Sequence, residues 1–367
     1  MTPLALAVLL FAAAVATFFL SLLFTTIAIR VARRIGFVDR PGAHKSHRDP
    51  TPYGGGTAML AASVSAVAGL LAGALLLPDD WLAQRFGETV RAYAGGLHDQ
   101  QHTALAIVLG ALAMHALGLV DDLRPLGAQP KLIALVAIGA LVSWQGDVRI
   151  GEFAHPAISI GATTLWIVVI ANAFNFLDNM DGLSAGVAAI CIAGLVTCGV
   201  LAGQVLVPVM GCLFLGAIVG FLVFNFPPAR IFMGDAGSLL SGFFVAVLAA
   251  MTTYYESGRE TPPYALAMPL VVLAVPLYDF ASVLTIRWRE GRRLMQGDQR
   301  HFSHRLVERG LSRKAAVVTI YLATAATGLS ATLLPGADLR QTLTIGAVVV
   351  LVLTIVAILE SPVRRAP

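Results

Sequence analysis

The sequence predicts an all-α integral membrane protein, and three observations support that prediction. Only 13% of the 367 residues are charged, 57% are hydrophobic, and the mean hydropathy is +0.80. A soluble domain carries about 25% charged residues. The apolar residues also gather in uninterrupted runs of about 20, the length that crosses the hydrocarbon core of a bilayer as a helix.

Eleven such runs predict eleven transmembrane helices within one polytopic domain, residues 1–367. The runs lie near residues 4–29, 57–77, 103–120, 131–145, 157–174, 185–202, 205–224, 238–254, 263–286, 315–334 and 341–359. No basic residue precedes the first run and a cluster follows it, which is the reverse of the flanks of a cleavable signal peptide. We therefore interpret the first run as a true span.

The distribution of basic residues predicts the orientation of these helices. Loops on one side, together with the C-terminus, hold 20 of the 25 lysines and arginines, and loops on the other side hold five. Cytoplasmic loops are the ones enriched in Lys and Arg. The N-terminus is therefore predicted outside and the C-terminus in the cytoplasm, with the active-site cleft on the cytoplasmic face.

Charge and cysteine content argue against other classes of function. The net charge of +4 comes mainly from arginines in loops, which suit anionic lipids and phosphates. Nucleic acid would need a contiguous basic surface, so no nucleic-acid partner is expected. Cys191, Cys198 and Cys212 lie in apolar runs, and we expect them to be buried packing residues without a disulfide or metal role.

The unusual polar residues gather at the predicted cytoplasmic ends of the helices. Asp121 and Asp122 end the third run. Adjacent carboxylates repel each other, so the pair needs a metal, a cation or a proton between them. A helix-capping role for one aspartate is the alternative, and it does not account for both.

A second polar cluster ends the fifth run. Its side chains recur every three residues and form a ridge along one side of a helix: Asn172, Asn175, Asp178 and Asp181. Two carboxylates and two carboxamides in a turn-rich stretch indicate a site for a nucleotide and its metal. A buried hydrogen-bond network between helices is the alternative.

Three further loops on the same face carry candidate residues. Phe232 and Asp235 precede the eighth run, where the ring could stack on a base and the carboxylate could bind a hard cation. His301 and His304 stand one helical turn apart, which indicates phosphate contact because zinc would need further Cys or His ligands. The basic residues before the second run are available to an anionic substrate, unless they merely flank a turn: Lys45, His47 and Arg48.

Together these segments resemble the polyprenyl-phosphate N-acetylhexosamine-1-phosphate transferases, glycosyltransferase family 4, and most closely the branch that uses UDP-N-acetylglucosamine and undecaprenyl phosphate. Five segments occur in the family's order between residues 45 and 306. The resemblance implies transfer of N-acetylglucosamine 1-phosphate from a UDP-sugar to a polyprenyl phosphate, with release of UMP, at the start of cell-envelope polysaccharide synthesis.

The resemblance also implies the partners and the location of the chain. Mg²⁺ is the expected cofactor, with Mn²⁺ as a substitute. The expected partners are the UDP-sugar donor, the polyprenyl phosphate acceptor and membrane lipids, in the inner membrane of a bacterium. Whether the chain forms a homodimer does not follow from the sequence.

The family pattern implies roles for individual residues. Asp121, Asp122, His301 and His304 would be catalytic. Asp235, Asn175 and Asp178 would bind the metal. The substrate-binding residues would be Lys45, His47, Arg48, Lys131, Asn172, Asn175, Asp178, Asp181, Phe232 and Arg305.

Two departures bear on the donor sugar. The sugar-transfer branch usually has a histidine where Ser303 stands. The muramoyl-pentapeptide branch usually has a lysine shortly after its aspartate pair and a triple histidine, whereas here Arg124 follows the pair at that place and the triple histidine is missing. A small donor sugar is therefore favoured, with phospho-N-acetylmuramoyl-pentapeptide transfer as the alternative.

Other classes of membrane protein fit less well. A secondary transporter would carry ionisable residues near mid-span, whereas here they lie on one face. Asp279, inside the ninth run, is the exception and is read as a transporter-like acid, a packing partner or a part of the same site. A CDP-alcohol phosphatidyltransferase would need an arginine where Gly186 stands, and a structural scaffold would not need the acids.

Overall fold

The structure is a computed structural model that describes residues 3–39, 50–76, 100–151, 155–252, 267–293 and 300–361. These ranges form helices and one two-stranded ribbon, which confirms the predicted all-α class. The elements are α1 (Pro3–Ile35), β1 (Val38–Asp39), β2 (Thr51–Pro52), α2 (Gly55–Leu76), α3 (Gln101–Leu123), α4 (Ala128–Gln145), α5 (Pro156–Leu177), α6 (Leu183–Leu201), α7 (Leu206–Asn225), α8 (Gly234–Met251), α9 (Met268–Val272), α10 (Ala274–Arg289), α11 (Phe302–Glu308), α12 (Arg313–Ala331) and α13 (Leu339–Glu360).

Nine of the described helices are long and apolar enough to cross a bilayer: α1, α2, α3, α5, α6, α7, α8, α12 and α13. The fourth predicted run corresponds to α4, whose first turn contains Lys131. The ninth run corresponds to α9 and α10 together. The chain is therefore a multi-pass membrane protein, and the count of eleven spans stays a prediction.

The ninth run is not the continuous helix that its hydropathy predicts. Helix α9 ends at Val272 and α10 begins at Ala274, so the helical path is broken at Leu273. A proline inside a helix lacks the N–H for the backbone bond, and its ring clashes with the carbonyl four residues earlier. Restarting the helix at Ala274 places Pro276 in a first turn, where no such bond is needed.

Helix α8 is the centre of the bundle, since 89% of its residues are buried. It packs against α2, α3, α5, α6 and α7. Glycines allow this close approach, because a Cβ at Gly118 of α3 would overlap the backbone of Asp235, and a Cβ at Gly56 of α2 would overlap Gly237. Small residues at such contacts are typical of helices packed in a membrane.

The first and last helices lie at the periphery. Only 17% of the spanning part of α1 or of α13 is buried, and large apolar side chains point outward from both, including Phe11 and Leu343. Apolar surface of this kind is what a membrane-spanning helix presents to lipid.

A short ribbon joins the end of α1 to the start of α8. Strands β1 and β2 pair antiparallel, with Val38 opposite Pro52. The carbonyl of Pro52 accepts a hydrogen bond from the N–H of Phe232 (2.8 Å), and the N–H of Gly55 donates to the carbonyl of Phe232 (3.0 Å). The loops before α2 and before α8 therefore form one surface.

Candidate active site

The site is built around the N-terminus of α8. Gly234 begins this helix with φ +68°, a conformation that favours glycine. Asp122, at the end of α3, accepts hydrogen bonds from the backbone N–H groups of Asp235 (2.8 Å) and Ala236 (3.1 Å). These N–H groups have no partner inside the helix, and the helix dipole also favours a negative charge there. Asp122 thus caps α8 from another helix.

Lys131 connects Asp121 and Asp235. Its ammonium group donates to Asp121 (2.8 Å) and to Asp235, and it lies 3.4 Å from the amide oxygen of Asn175. Asn175 donates from its Nδ2 to Asp235 (2.9 Å) and to Ser238 (2.9 Å). Four helices, α3, α4, α5 and α8, thereby bring their predicted residues into one acid cluster: Asp121, Lys131, Asn175 and Asp235.

The adjacent aspartates do not share one counter-charge. Asp121 is held by Lys131 and by the backbone N–H of Leu126 (2.5 Å), whereas Asp122 is held by the α8 terminus. Of the pair, Lys131 contacts Asp121, and a metal beside the pair stays a prediction. The capping alternative holds for Asp122, and the cation holds for Asp121.

Asp178 follows the last residue of α5 and is partly buried. Its pKa is raised well above the usual range, because burial and the negative charges of Asp235, Asp122 and Asp181 disfavour its ionised form. Among the described residues, no hydrogen bond to the Asp178 carboxylate is found. An ionised Asp178 therefore has a charge that the surrounding residues do not compensate.

The turn that contains Asp178 is held by hydrogen bonds to α7 and α12. Gly182 adopts φ +72°, its N–H donates to Asn225 (3.0 Å), and its carbonyl accepts from the Tyr321 hydroxyl. Asp181 accepts from the N–H of Ala229 (2.9 Å). Asp181 therefore holds the loop before α8. The sequence reasoning did not identify Asn225 or Tyr321, since neither stands in a polar cluster.

An aromatic row lies beside the cluster. The Phe232 ring is partly exposed, and its centroid lies 6.0 Å from that of Tyr53, which lies 5.4 Å from that of Phe37. Burial and the nearby carboxylates raise the pKa of the Tyr53 hydroxyl. Tyr53 was missed because a single tyrosine in a Gly-rich loop carries no pattern.

The histidine segment, residues 301–305, lies at the same face. His301 donates from Nδ1 to Asp279 (3.0 Å), and its ring meets the edge of Phe176 with centroids 5.8 Å apart. The pKa of His304 is lowered, because burial and the charges of His301 and Arg313 disfavour its protonated form. Asp279 is thus a partner of the histidine segment, which answers the question left open by the sequence.

Several predicted substrate residues are placed differently. Asn172 is buried and donates to the carbonyl of Val168 in its own helix (2.8 Å), so its amide group belongs to α5. Arg305 pairs with Glu360 of α13 (3.0 Å) and donates to Ser282 (2.8 Å), outside the acid cluster. Both groups have protein partners in the structure, and their assignment to substrate binding stays a prediction.

Two further predictions concern the loops. Ser303 is buried and donates to Asn179 (2.5 Å), so it joins the histidine segment to the turn after α5. Lys45, His47 and Arg48 lie outside the described residues, and their assignment stays a prediction.

The donor set suits a hard divalent cation. Carboxylate oxygens are the ligands that Mg²⁺ prefers, and Asp178 and Asp235 supply them. Within the described ranges, no three Asp, Glu, His or Cys side chains converge as a preformed metal site. The amide group of Asn175 holds Asp235 and faces Lys131, and its role as a metal ligand stays a prediction.

Comparison with known proteins places the chain in a family. Residues 104–253, from α3 to just beyond α8, match the family described as Glycosyl transferase family 4. The chain is 32% identical to the decaprenyl-phosphate N-acetylglucosaminephosphotransferase of Mycolicibacterium smegmatis, over 94% of this chain and 86% of that protein.

Two further relatives carry related names. The probable undecaprenyl-phosphate N-acetylglucosaminyl 1-phosphate transferase of Bacillus subtilis is 29% identical, over 92% of this chain and 88% of that protein. The undecaprenyl-phosphate alpha-N-acetylglucosaminyl 1-phosphate transferase of Escherichia coli K12 is 26% identical, over 85% of this chain and 80% of that protein. The chain therefore belongs to glycosyl transferase family 4, the polyprenyl-phosphate N-acetylhexosamine-1-phosphate transferases.

Proposed function

We propose that the chain transfers N-acetylglucosamine 1-phosphate from UDP-N-acetylglucosamine to a polyprenyl phosphate and releases UMP. The observation that carries the proposal is Lys131, held between Asp121 and Asp235 where four helices meet. A cation fixed by two carboxylates suits a reaction that brings two phosphate groups together. The names of the relatives support the same acceptor and the same sugar.

The reaction is a single displacement at the β-phosphorus of the donor. An oxygen of the polyprenyl phosphate forms the new P–O bond, the bond to the bridging oxygen breaks, and UMP departs with that electron pair. A phosphomonoester is already largely dianionic at pH 7, because its second pKa is about 6. The acceptor therefore needs little activation by a base, and the main obstacle is the repulsion between two anions.

The protein groups lower that repulsion and position the reactants. Lys131 offers an ammonium group to phosphate oxygens, and Asp121 and Asn175 hold it in place. Both oxygens of Asp121 and both oxygens of Asp122 already accept hydrogen bonds. This engagement favours direct attack by the acceptor over a covalent phospho-sugar intermediate on either aspartate.

A divalent cation completes this arrangement in the proposal. Asp178 and Asp235 would hold Mg²⁺ or Mn²⁺, which would neutralise the charge of the diphosphate. Phe232 and Tyr53 form the aromatic surface on which the uracil ring would lie, and Asp181 holds the loop that carries Phe232.

The proposed topology has eleven spans in one domain, with the N-terminus outside and the site on the cytoplasmic side of a bacterial inner membrane. The split of basic residues, 20 against five, supports the orientation. The positions of the site residues support the count, since the ends of α3, α5 and α7 and the starts of α4, α6 and α8 all meet at the acid cluster and its supporting loops.

The test is a donor panel. Purified chain in detergent is incubated with polyprenyl phosphate, Mg²⁺ and one UDP-sugar at a time, and the lipid product is identified by its mass. The expected product carries N-acetylglucosamine on a diphosphate. A product only from the UDP-muramoyl-pentapeptide would replace the donor, and no product from any donor, in folded protein, would favour transport instead.

A further inference from the structure

Asp279 and His301 form a buried pair between α10 and the histidine segment. Asp279 is 1% exposed and His301 is 4% exposed. One carboxylate oxygen accepts from His301 Nδ1 (3.0 Å), and the other accepts from the backbone N–H of Phe302 (2.9 Å). The single side chain therefore holds both the ring and the backbone of the segment.

The pair determines which nitrogen of His301 is left for other partners. An ionised carboxylate only accepts hydrogen bonds, so Nδ1 carries the proton that it donates to Asp279. The hydrogen bond at one ring nitrogen sets the state of the other. A phosphate oxygen only accepts hydrogen bonds, so Nε2 can meet it when the ring is the imidazolium, which carries a proton on both nitrogens.

The ring is also tied to the helix end that carries the acid cluster. Phe176 contacts the His301 ring, and the Arg287 guanidinium lies 4.8 Å from the centroid of the same phenyl ring. Phe176 directly follows Asn175, which holds Asp235. The position of His301 is thereby linked to the residues proposed to meet the diphosphate.

A capping role alone does not explain this arrangement. The Phe302 N–H at the start of α11 needs one acceptor oxygen, and any short polar side chain could supply it. The second oxygen of Asp279 is engaged with the imidazole, and the aromatic ring of Phe176 limits the other movements of His301. The geometry is that of an oriented histidine rather than of a cap.

We propose that Asp279 is a positioning residue that orients His301, so that the Nε2 of this histidine contacts a phosphate oxygen of the substrates. The inference rests on the proposed function. Asp279 itself does not touch substrate, and its effect is exerted through the imidazole. Losing the carboxylate that orients a metal-bound histidine costs about 10- to 100-fold in activity, and we expect a loss of the same order here.

The test is a double-mutant cycle with Asp279→Asn and His301→Asn. Asp279→Asn keeps an acceptor for Phe302 but removes the negative charge that pairs with the imidazolium, so the doubly protonated ring loses its partner. We expect kcat to fall about 10- to 100-fold with little change in the KM for UDP-N-acetylglucosamine, because the contact acts in the transition state. The double variant is expected to be no slower than His301→Asn.

The control is Tyr278→Phe on the same helix. It removes the hydrogen bond from the Tyr278 hydroxyl to Glu360 (2.6 Å), a partly buried contact that is not part of the pair. Its kcat is expected to stay within about twofold of the wild-type value. Thermal unfolding of each variant shows whether it is folded. Asp279→Ser, which also removes the carboxylate, replaces Asp279→Asn if the latter does not fold, with the same loss of kcat expected.

The outcomes separate this inference from the proposed function. A folded Asp279 variant that keeps kcat within about twofold, or losses that multiply in the double variant, would overturn the positioning role alone. A wild-type chain that forms no lipid product would overturn the proposed function and this inference with it.

Discussion

Asp122 gives the strongest prediction about how this site is held together. Its two carboxylate oxygens each accept one N–H from the first turn of α8, so Asp122→Ala leaves two buried donors without partners. Loss of an N-cap costs about 0.5–2 kcal/mol, and an unsatisfied buried donor costs about 1–3 kcal/mol. Because these estimates describe the same bonds, they are not added, and we expect a loss of about 1–3 kcal/mol in the free energy of unfolding.

Asp122→Asn provides a graded version of the same change. Its amide oxygen can accept one of the two N–H groups, but its NH₂ group then faces the other N–H. We expect about half of the alanine effect on stability. Transfer activity should fall in both variants, because Asp235 lies in the turn that Asp122 holds.

The assay compares thermal unfolding in detergent with UMP release. The matched control is Asp338→Ala, which removes the exposed capping box at the start of α13, far from the acid cluster. This control should lose about 1 kcal/mol at most and keep full activity. The capping account would be refuted if Asp122→Ala unfolded no more easily than Asp338→Ala while losing activity.

Three further predictions concern the neighbours of Asp122. Asp178→Asn should raise the unfolding temperature in EDTA, since the raised pKa of Asp178 means that its charge is disfavoured in the folded chain. The same variant should no longer be stabilised by Mg²⁺. Equal stabilisation of the variant and the wild type by Mg²⁺ would exclude Asp178 as a ligand. Lys131→Arg should lose at least about tenfold in kcat, because a planar guanidinium cannot replace a point charge between two carboxylates; full activity in the transfer assay would contradict this. Tyr321→Phe should lower the free energy of unfolding by about 0.5–1.5 kcal/mol and raise the KM for the donor, because it frees the carbonyl of Gly182. Ser330→Ala on the same helix should leave the KM unchanged. Equal KM values for the two variants would contradict a role of the Asp178 turn in donor binding.

The fold was predictable from the sequence to a large extent because hydropathy is a local property. Apolar runs correspond to helices in the structure, and α4 is found where the fourth run predicts it. The break at Leu273 was not predicted, since hydropathy continues unchanged across it while the backbone responds to Pro276. The ribbon of β1 and β2 was also missed, because two residues per strand leave no periodic pattern.

The candidate site was predictable as a list of residues and not as a set of contacts. Asp121, Asp122 and Asp235 were identified by residue type and by their position at helix ends. Their division between Lys131 and the α8 terminus depends on the close approach of α3 to α8 at Gly118. That approach joins residues more than 100 positions apart, and a single sequence does not encode it in any local pattern.

The three-residue spacing of polar side chains in α5 did not predict their individual contacts. A recurrence of three residues advances about 300° around a helix, so successive side chains drift by about 60°. That spacing does not determine what each amide contacts: Asn172 donates to the carbonyl of Val168, and only Asn175 reaches Lys131 and Asp235. The partner of Asp279 could not be predicted either, because His301 lies 22 residues further along the chain.

The central claim is that a phospho-sugar, rather than a sugar alone, is transferred at the cluster around Lys131. The most direct measurement follows UDP-N-acetylglucosamine that carries ³²P in its β-phosphate, with polyprenyl phosphate and Mg²⁺. The account predicts that the label enters the lipid while unlabelled UMP is released in equal amount, and that Asp235→Asn abolishes both. Label that remains in released UDP would contradict the account.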